Sequence, residues 1–210
     1  MSTGDASIFR LLLDYGVDVN DQKGKVYPTA LHAAREGQKL KFLLDHGADV
    51  NITVGNHGAP LHFAFATGKI EYAGLLLASC PDLEINAQGG EFGSALQAAA
   101  HVGALEHVQT LLDRGADVNA GGGKYGSAIN AAIVRGCWSI VELLLKAGAK
   151  SNIQHPPESQ EKWLSRVEKE DGRMAVERYA RFMDKQKSAA CGCTSCEQDF
   201  CWWKAAGYHE

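Results

Sequence analysis

Apolar positions recur at helical spacing in short bursts, and glycine-rich polar stretches separate the bursts. Residues 94–119 show the pattern best. "ALQAAAHV" (95–102) is small and apolar, as suits a helix that approaches its neighbour closely. Gly103 breaks it, and "ALEHVQTLLDR" follows with Leu105, Val108, Leu111 and Leu112 on one helical face. Ser94 is of N-cap type, with an oxygen able to accept an orphan N–H. Gly115 stands where a left-handed C-cap is expected. The spacing predicts two short helices per unit, and stretches such as "INAQGGEFG" (85–93) predict a turn or hairpin joining one unit to the next.

The unit repeats. The last asparagine of each D-V-N-like segment falls at Asn20, Asn51, Asn86, Asn119 and Asn152, at intervals of 31, 35, 33 and 33. A period near 33 marks a repeat architecture and takes precedence over any local motif. It settles the reading of "GGGKYGSAINAA" (121–132), which on its own suggests a phosphate loop. A Walker-type loop needs a Ser or Thr after its lysine, and here Tyr125 follows Lys124. The stretch "GADVNAGGGKYGSAINAA" (115–132) also has a near twin at 81–100, so its glycines are turn formers.

The segments "TALHAA" (29–34), "APLHFA" (59–64), "SALQAA" (94–99) and "SAINAA" (127–132), with "FLLDHGADVN" (42–51), "TLLDRGADVN" (110–119) and "LLLKAGAKSN" (143–152), resemble the ankyrin repeat. The resemblance covers about residues 7–153, and the "GG-x-[YF]-G-S-A" variant of the last two repeats looks like the fungal form of the family. It implies a mainly α solenoid of stacked helix-turn-helix units with hairpin or turn connections. The expected organisation is a partial unit at 7–20, units ending near 51, 86, 119 and 152, a helical segment at 155–188 and a cysteine-rich tail at 189–210. Two units depart from the pattern. The one ending at 51 is about three residues short around 35–39, which clips its helices; the next replaces its glycine C-cap with "ASCPDLEIN".

The resemblance also implies a function: binding another protein along a concave face made of loop tips and first helices. Carried over position by position, the partner-binding candidates are Lys25, Asn56, His57, Glu91, Phe92, Lys124 and Tyr125 at the tips, and Arg35, His101, Val102, Val134 and Arg135 on the helices. Phe92 and Tyr125 have a second reading, as packing residues of the loops. His32 and His62 match the family's structural histidine, and Gln97 and Asn130, which stand in its place further on, can make similar hydrogen bonds without acid–base chemistry. No nucleophile or carboxylate recurs beside the histidines, so no catalytic residues are assigned.

Composition narrows the classes further. With 21 basic and 25 acidic residues the formal charge is −4, too balanced to imply nucleic-acid or membrane-surface binding. The longest apolar runs are far too short to span a bilayer. "MSTGDASIFR" lacks a basic segment followed by a long apolar core, so the expected location is cytosol or nucleus, with reduced thiols. After the repeats, Trp163, Leu164, Val167, Met174, Tyr179, Phe182 and Met183 form an apolar stripe among charges, fitting either a cap on the stack or a partner helix. Cys191, Cys193, Cys196 and Cys201 are chemically suited to zinc but more crowded than paired knuckles. They give an alternative function, a metal- or redox-responsive module; otherwise no cofactor is expected.

Overall fold

The computed structural model describes Leu11, residues 14–24, 26–34 and 36–150, positions 162, 165 and 167–169, and the helix 173–191, the last with side chains as far as Phe182. Four helix pairs follow one another: α1 (Ala30–Ala33) with α2 (Gly37–Asp45), α3 (Pro60–Ala66) with α4 (Ile70–Ser79), α5 (Ala95–Val102) with α6 (Leu105–Asp113), and α7 (Ala128–Arg135) with α8 (Trp138–Lys146). A longer helix, α9 (Arg173–Cys191), follows. First helices pack on first helices, and second helices also meet between the first and second pairs and between the third and fourth. Among the described residues there is no strand. The connections are tight turns with two isolated bridges, Val54 with Gly58 and Gly89 with Gly93.

The first helices are four to eight residues long, well short of the roughly 12–15 residues at which a helix is even marginal alone. Neighbours therefore hold them. Ala95, Ala98, Ala99, Ala128, Ala131 and Ala132 are essentially inaccessible, and their small side chains let the helices lie close. The second helices add Leu40, Leu76, Val108, Leu111, Ile140 and Leu144 to one continuous core. Ser94 and Ser127 cap α5 and α7 by accepting from the N–H of Gln97 and Asn130. Gly103 and Gly136 end those helices at φ 79° and 72°, a left-handed conformation that costs glycine least.

The recurring asparagine is the clamp between units. Asn20 donates Nδ2 to the Gly47 carbonyl at 3.0 Å and accepts from the Asp49 N–H at 2.8 Å. Asn51 repeats this on Asp82 and Glu84, Asn86 on Gly115 and Asp117, and Asn119 on Gly148 and Lys150. The aspartates two residues earlier, Asp18, Asp49 and Asp117, each accept from the asparagine's own N–H at 2.9 Å and fix its loop.

The two irregular units are repaired from the next one. Helix α1 has a single turn, and its carbonyls are taken up by unit two: the Tyr72 hydroxyl donates to Leu31 O at 2.9 Å and Lys69 Nζ to His32 O at 3.2 Å. Burial pushes the Tyr72 pKa up, which keeps the hydroxyl a donor. Helix α4 ends at Cys80 without a glycine. Arg114 of the following unit donates to Leu77 O, Cys80 O and Pro81 O at 2.9, 3.0 and 2.7 Å, complementing the negative end of that helix. At the far end Ala175, Val176, Tyr179 and Phe182 of α9 join the core and cover α7, Phe182 stacks on Trp138 at 6.5 Å, and Arg178 donates to Val134 O at 3.3 Å.

Candidate partner-binding face

Three residues before the start of each first helix the chain carries Tyr27, His57, Phe92 and Tyr125. The loops bearing them stack directly, because glycines face each other across the seams. A Cβ on Gly58 would lie 3.0 Å from Gly90 N, and one on Gly93 would lie 2.8 Å from Gly123 N. Lys124 N donates to Glu91 O at 2.9 Å, tying the last two loops, and its amino group reaches Glu91 Oε1 at 3.7 Å and the Tyr125 ring at 5.1 Å. The glycine run around Lys124 thus holds loop against loop.

The rings behind the loops form two groups. Near the start, Phe63 meets Tyr27, His32 and His57 edge-on at 5.9, 5.3 and 5.4 Å, with Lys69 Nζ 4.9 Å from its centroid. Further on, His101 lies 4.7 Å from the Phe92 ring and 5.1 Å from Tyr125.

Burial corrects part of the binding face expected from the sequence. Phe92, Tyr125 and Val134 are only 5%, 0% and 1% accessible, so none of them lines an open groove. Phe92 and Tyr125 are closed off by stacking with each other and His101. Val134 lies on α7, the helix that α9 covers. Asn56, Glu91 and Arg135 are exposed, and His57, His101, Val102 and Lys124 are half-buried. Lys25 and Arg35 lie outside the described residues. So do Cys193, Cys196, Cys201 and the side chain of Cys191, whose backbone ends α9.

The histidine position of the first helices links each unit to the next loop. His32 Nε2 bonds Gly58 O at 3.2 Å, with its Nδ1 2.8 Å from Thr29 Oγ1. His62 Nε2 bonds Ala87 O at 2.9 Å, and Gln97 Nε2 donates to Ala120 O at 3.0 Å. Asn130, one methylene shorter, donates within its own unit to Tyr125 O. Burial holds both imidazoles below the ordinary histidine pKa, so they are neutral struts.

His62 Nδ1 is buried with no hydrogen-bond partner among the described residues, because Ala59 occupies the place that Thr29 fills in the preceding unit. Ala59→Thr should supply the missing donor and stabilise the fold by about 1 kcal/mol. A rise of a few degrees in the melting temperature checks it; no rise would show that the hydroxyl does not reach the ring.

Among the described residues no group of three or more His, Cys, Asp or Glu side chains is placed to hold a metal ion, and no helix is long and apolar enough to cross a membrane. Comparison with known proteins agrees with the helix pairs. Residues 1–89 match the family model described as ankyrin repeats in three copies, and residues 94–122 match the single ankyrin-repeat model, together 118 of 210 residues. The chain is similar to the nuclear factor NF-kappa-B p105 subunit of Gallus gallus, 36% identical over 39% of this chain and 9% of that protein. It is similar to the azaphilone pigments biosynthesis cluster protein L of Monascus ruber, 39% identical over 33% of this chain and 16% of that protein. It is also similar to palmitoyltransferase AKR1 of Lachancea kluyveri, 35% identical over 50% of this chain and 15% of that protein. The matched stretches thus span less than a fifth of each of these relatives.

Proposed function

Because this chain belongs to the ankyrin-repeat family, we propose that it is a non-catalytic adaptor or regulator that binds another protein across its loop tips and the exposed ends of its first helices. The observation that carries this reading is the row of stacked loops, which presents Asn56, Glu91 and Lys124 from successive units, with Arg135 at the exposed end of the last first helix, and leaves little to order on binding. The histidines, the obvious candidates for acid–base chemistry, are committed to holding loops. A regulatory role in transcription draws support from the likeness to a nuclear factor subunit, and fits a protein of the nucleus or cytoplasm.

The test is affinity capture with the intact chain, followed by the same capture with Glu91→Arg and Arg135→Glu combined. Both positions are exposed, so the melting temperature should move by no more than about 2 °C. Capture of a defined protein partner should fall at least about tenfold, the scale of one lost hot-spot charge. A partner held equally well by the variant would place binding elsewhere on the molecule.

A further inference from the structure

The seams between units are not chemically equal. The seams from the first to the second pair, and from the second to the third, are bridged by imidazoles, His32 to Gly58 O and His62 to Ala87 O. The seam from the third to the fourth is bridged by an amide, Gln97 to Ala120 O. We propose that the stack has an acid-sensitive N-terminal half: protonation of His32 and His62 opens the seams between the first three helix pairs, and with them that half of the binding face, while the Gln97 seam stays closed. The consequence for binding rests on the function proposed above; the opening itself does not.

The surroundings of the two rings carry the argument. His32 sits among α1, the loop before α3, α3 and the start of α4. The titratable groups facing it are His57 on the loop, His62 on α3, and Lys69 and Tyr72 at α4, with Tyr27 beyond Phe63. Among the described residues none of the groups facing it is a carboxylate. A second proton on His32 would therefore add positive charge beside the Lys69 ammonium, which is held at His32 O. On His62 it would create a buried N–H at Nδ1 with no acceptor among the described residues. Among the described residues neither ring has a compensating anion, so each is expelled from its seam rather than charged in place.

The sign follows directly. Both folded imidazoles titrate below the ordinary value of 6.5 because burial disfavours their charged form. In the opened state they titrate near that value and bind more protons. Their contribution to stability is complete above it and is lost as pH falls through it toward the folded values. The amides of Gln97 and Asn130 have no such loss.

Hydrogen exchange on the intact chain, corrected for intrinsic rates, reads this directly. Between about pH 7.5 and about pH 5.5, protection of amides in α1 to α4 should fall about tenfold or more, and that in α5 to α8 by less than about twofold. His32→Gln with His62→Gln, the residue type used at position 97, should remove the difference. Gln97→His should extend the loss to α5 and α7, which keeps the test decisive if the double variant folds poorly. Uniform loss along the chain, or a half-specific loss that survives the double substitution, would overturn the proposal. Failure of the capture experiment with these exchange results intact would instead discard only the link to binding.

Discussion

Tyr125→Ala should destabilise the fold by about 3–5 kcal/mol, the range for emptying a buried aromatic site. The sequence had offered two roles for this side chain, a binding anchor or a packing residue of the loop. As an anchor, its removal would weaken partner capture and leave the melting temperature alone. The structure gives it no accessible surface, stacks it on His101 at 5.1 Å, and sets Phe92 6.0 Å away. Truncation leaves a cavity between the last two loops and strips His101 of one of its two ring neighbours, adding the loss of aromatic contacts worth about 0.5–1.5 kcal/mol each. A fall in the melting temperature of roughly 10 °C is expected for a chain of this size. Arg135→Ala, at an exposed position of the neighbouring helix, should stay within about 0.5 kcal/mol of the parent. Equal melting temperatures for the two variants would return Tyr125 to the binding face.

The second large effect is expected at Gly123. Its φ is +64°, and a Cβ there would fall 2.1 Å from the carbonyl carbon and oxygen of Phe92 and 2.5 Å from Gly93 N. These are backbone atoms of the loop beneath, which cannot rotate aside as a side chain would. Gly123→Ala must therefore part the two loops, at a cost of about 3 kcal/mol or more. Gly115→Ala is the matched control. It has a similar φ of +82°, with nothing within 4 Å of the added carbon. It should lose only the conformational term, about 1–2 kcal/mol. Denaturant unfolding of both variants separates the two causes: equal losses would mean that the loop contact costs nothing and that backbone strain alone matters.

Much of this architecture was legible in the sequence because each unit repeats its own instructions. The period, the helix pairs, the serine caps at 94 and 127 and the glycine stops at 103 and 136 are local features. What was hidden lies between units. Arg114 reads as an ordinary surface arginine until its three carbonyl partners, 33 to 37 residues earlier, are in view. The carbonyls of the shortened first helix find their partners on Tyr72 and Lys69 of the next unit, about 40 residues on. Gln97 and Asn130 look equivalent by position, yet Gln97 reaches the loop of the next unit while Asn130, in the last of the four described pairs, bonds Tyr125 O of its own unit. For the binding face, residue type was a poor guide: aromatic side chains suit interfaces and cores alike, and only burial separates Phe92 and Tyr125 from Asn56 or Arg135.

The asparagine clamps have a consequence for how such a chain can change. Each holds the next unit by one main-chain carbonyl and one main-chain amide, groups that every residue but proline supplies in full. The clamp itself does not read the side chains at the gripped amides, which here belong to Asp49, Glu84, Asp117 and Lys150. A fastening of this kind recognises no particular neighbour. Units can be duplicated, exchanged or recoloured at their tips without renegotiating the joint, so the surface that meets a partner can diversify while the joints themselves stay the same.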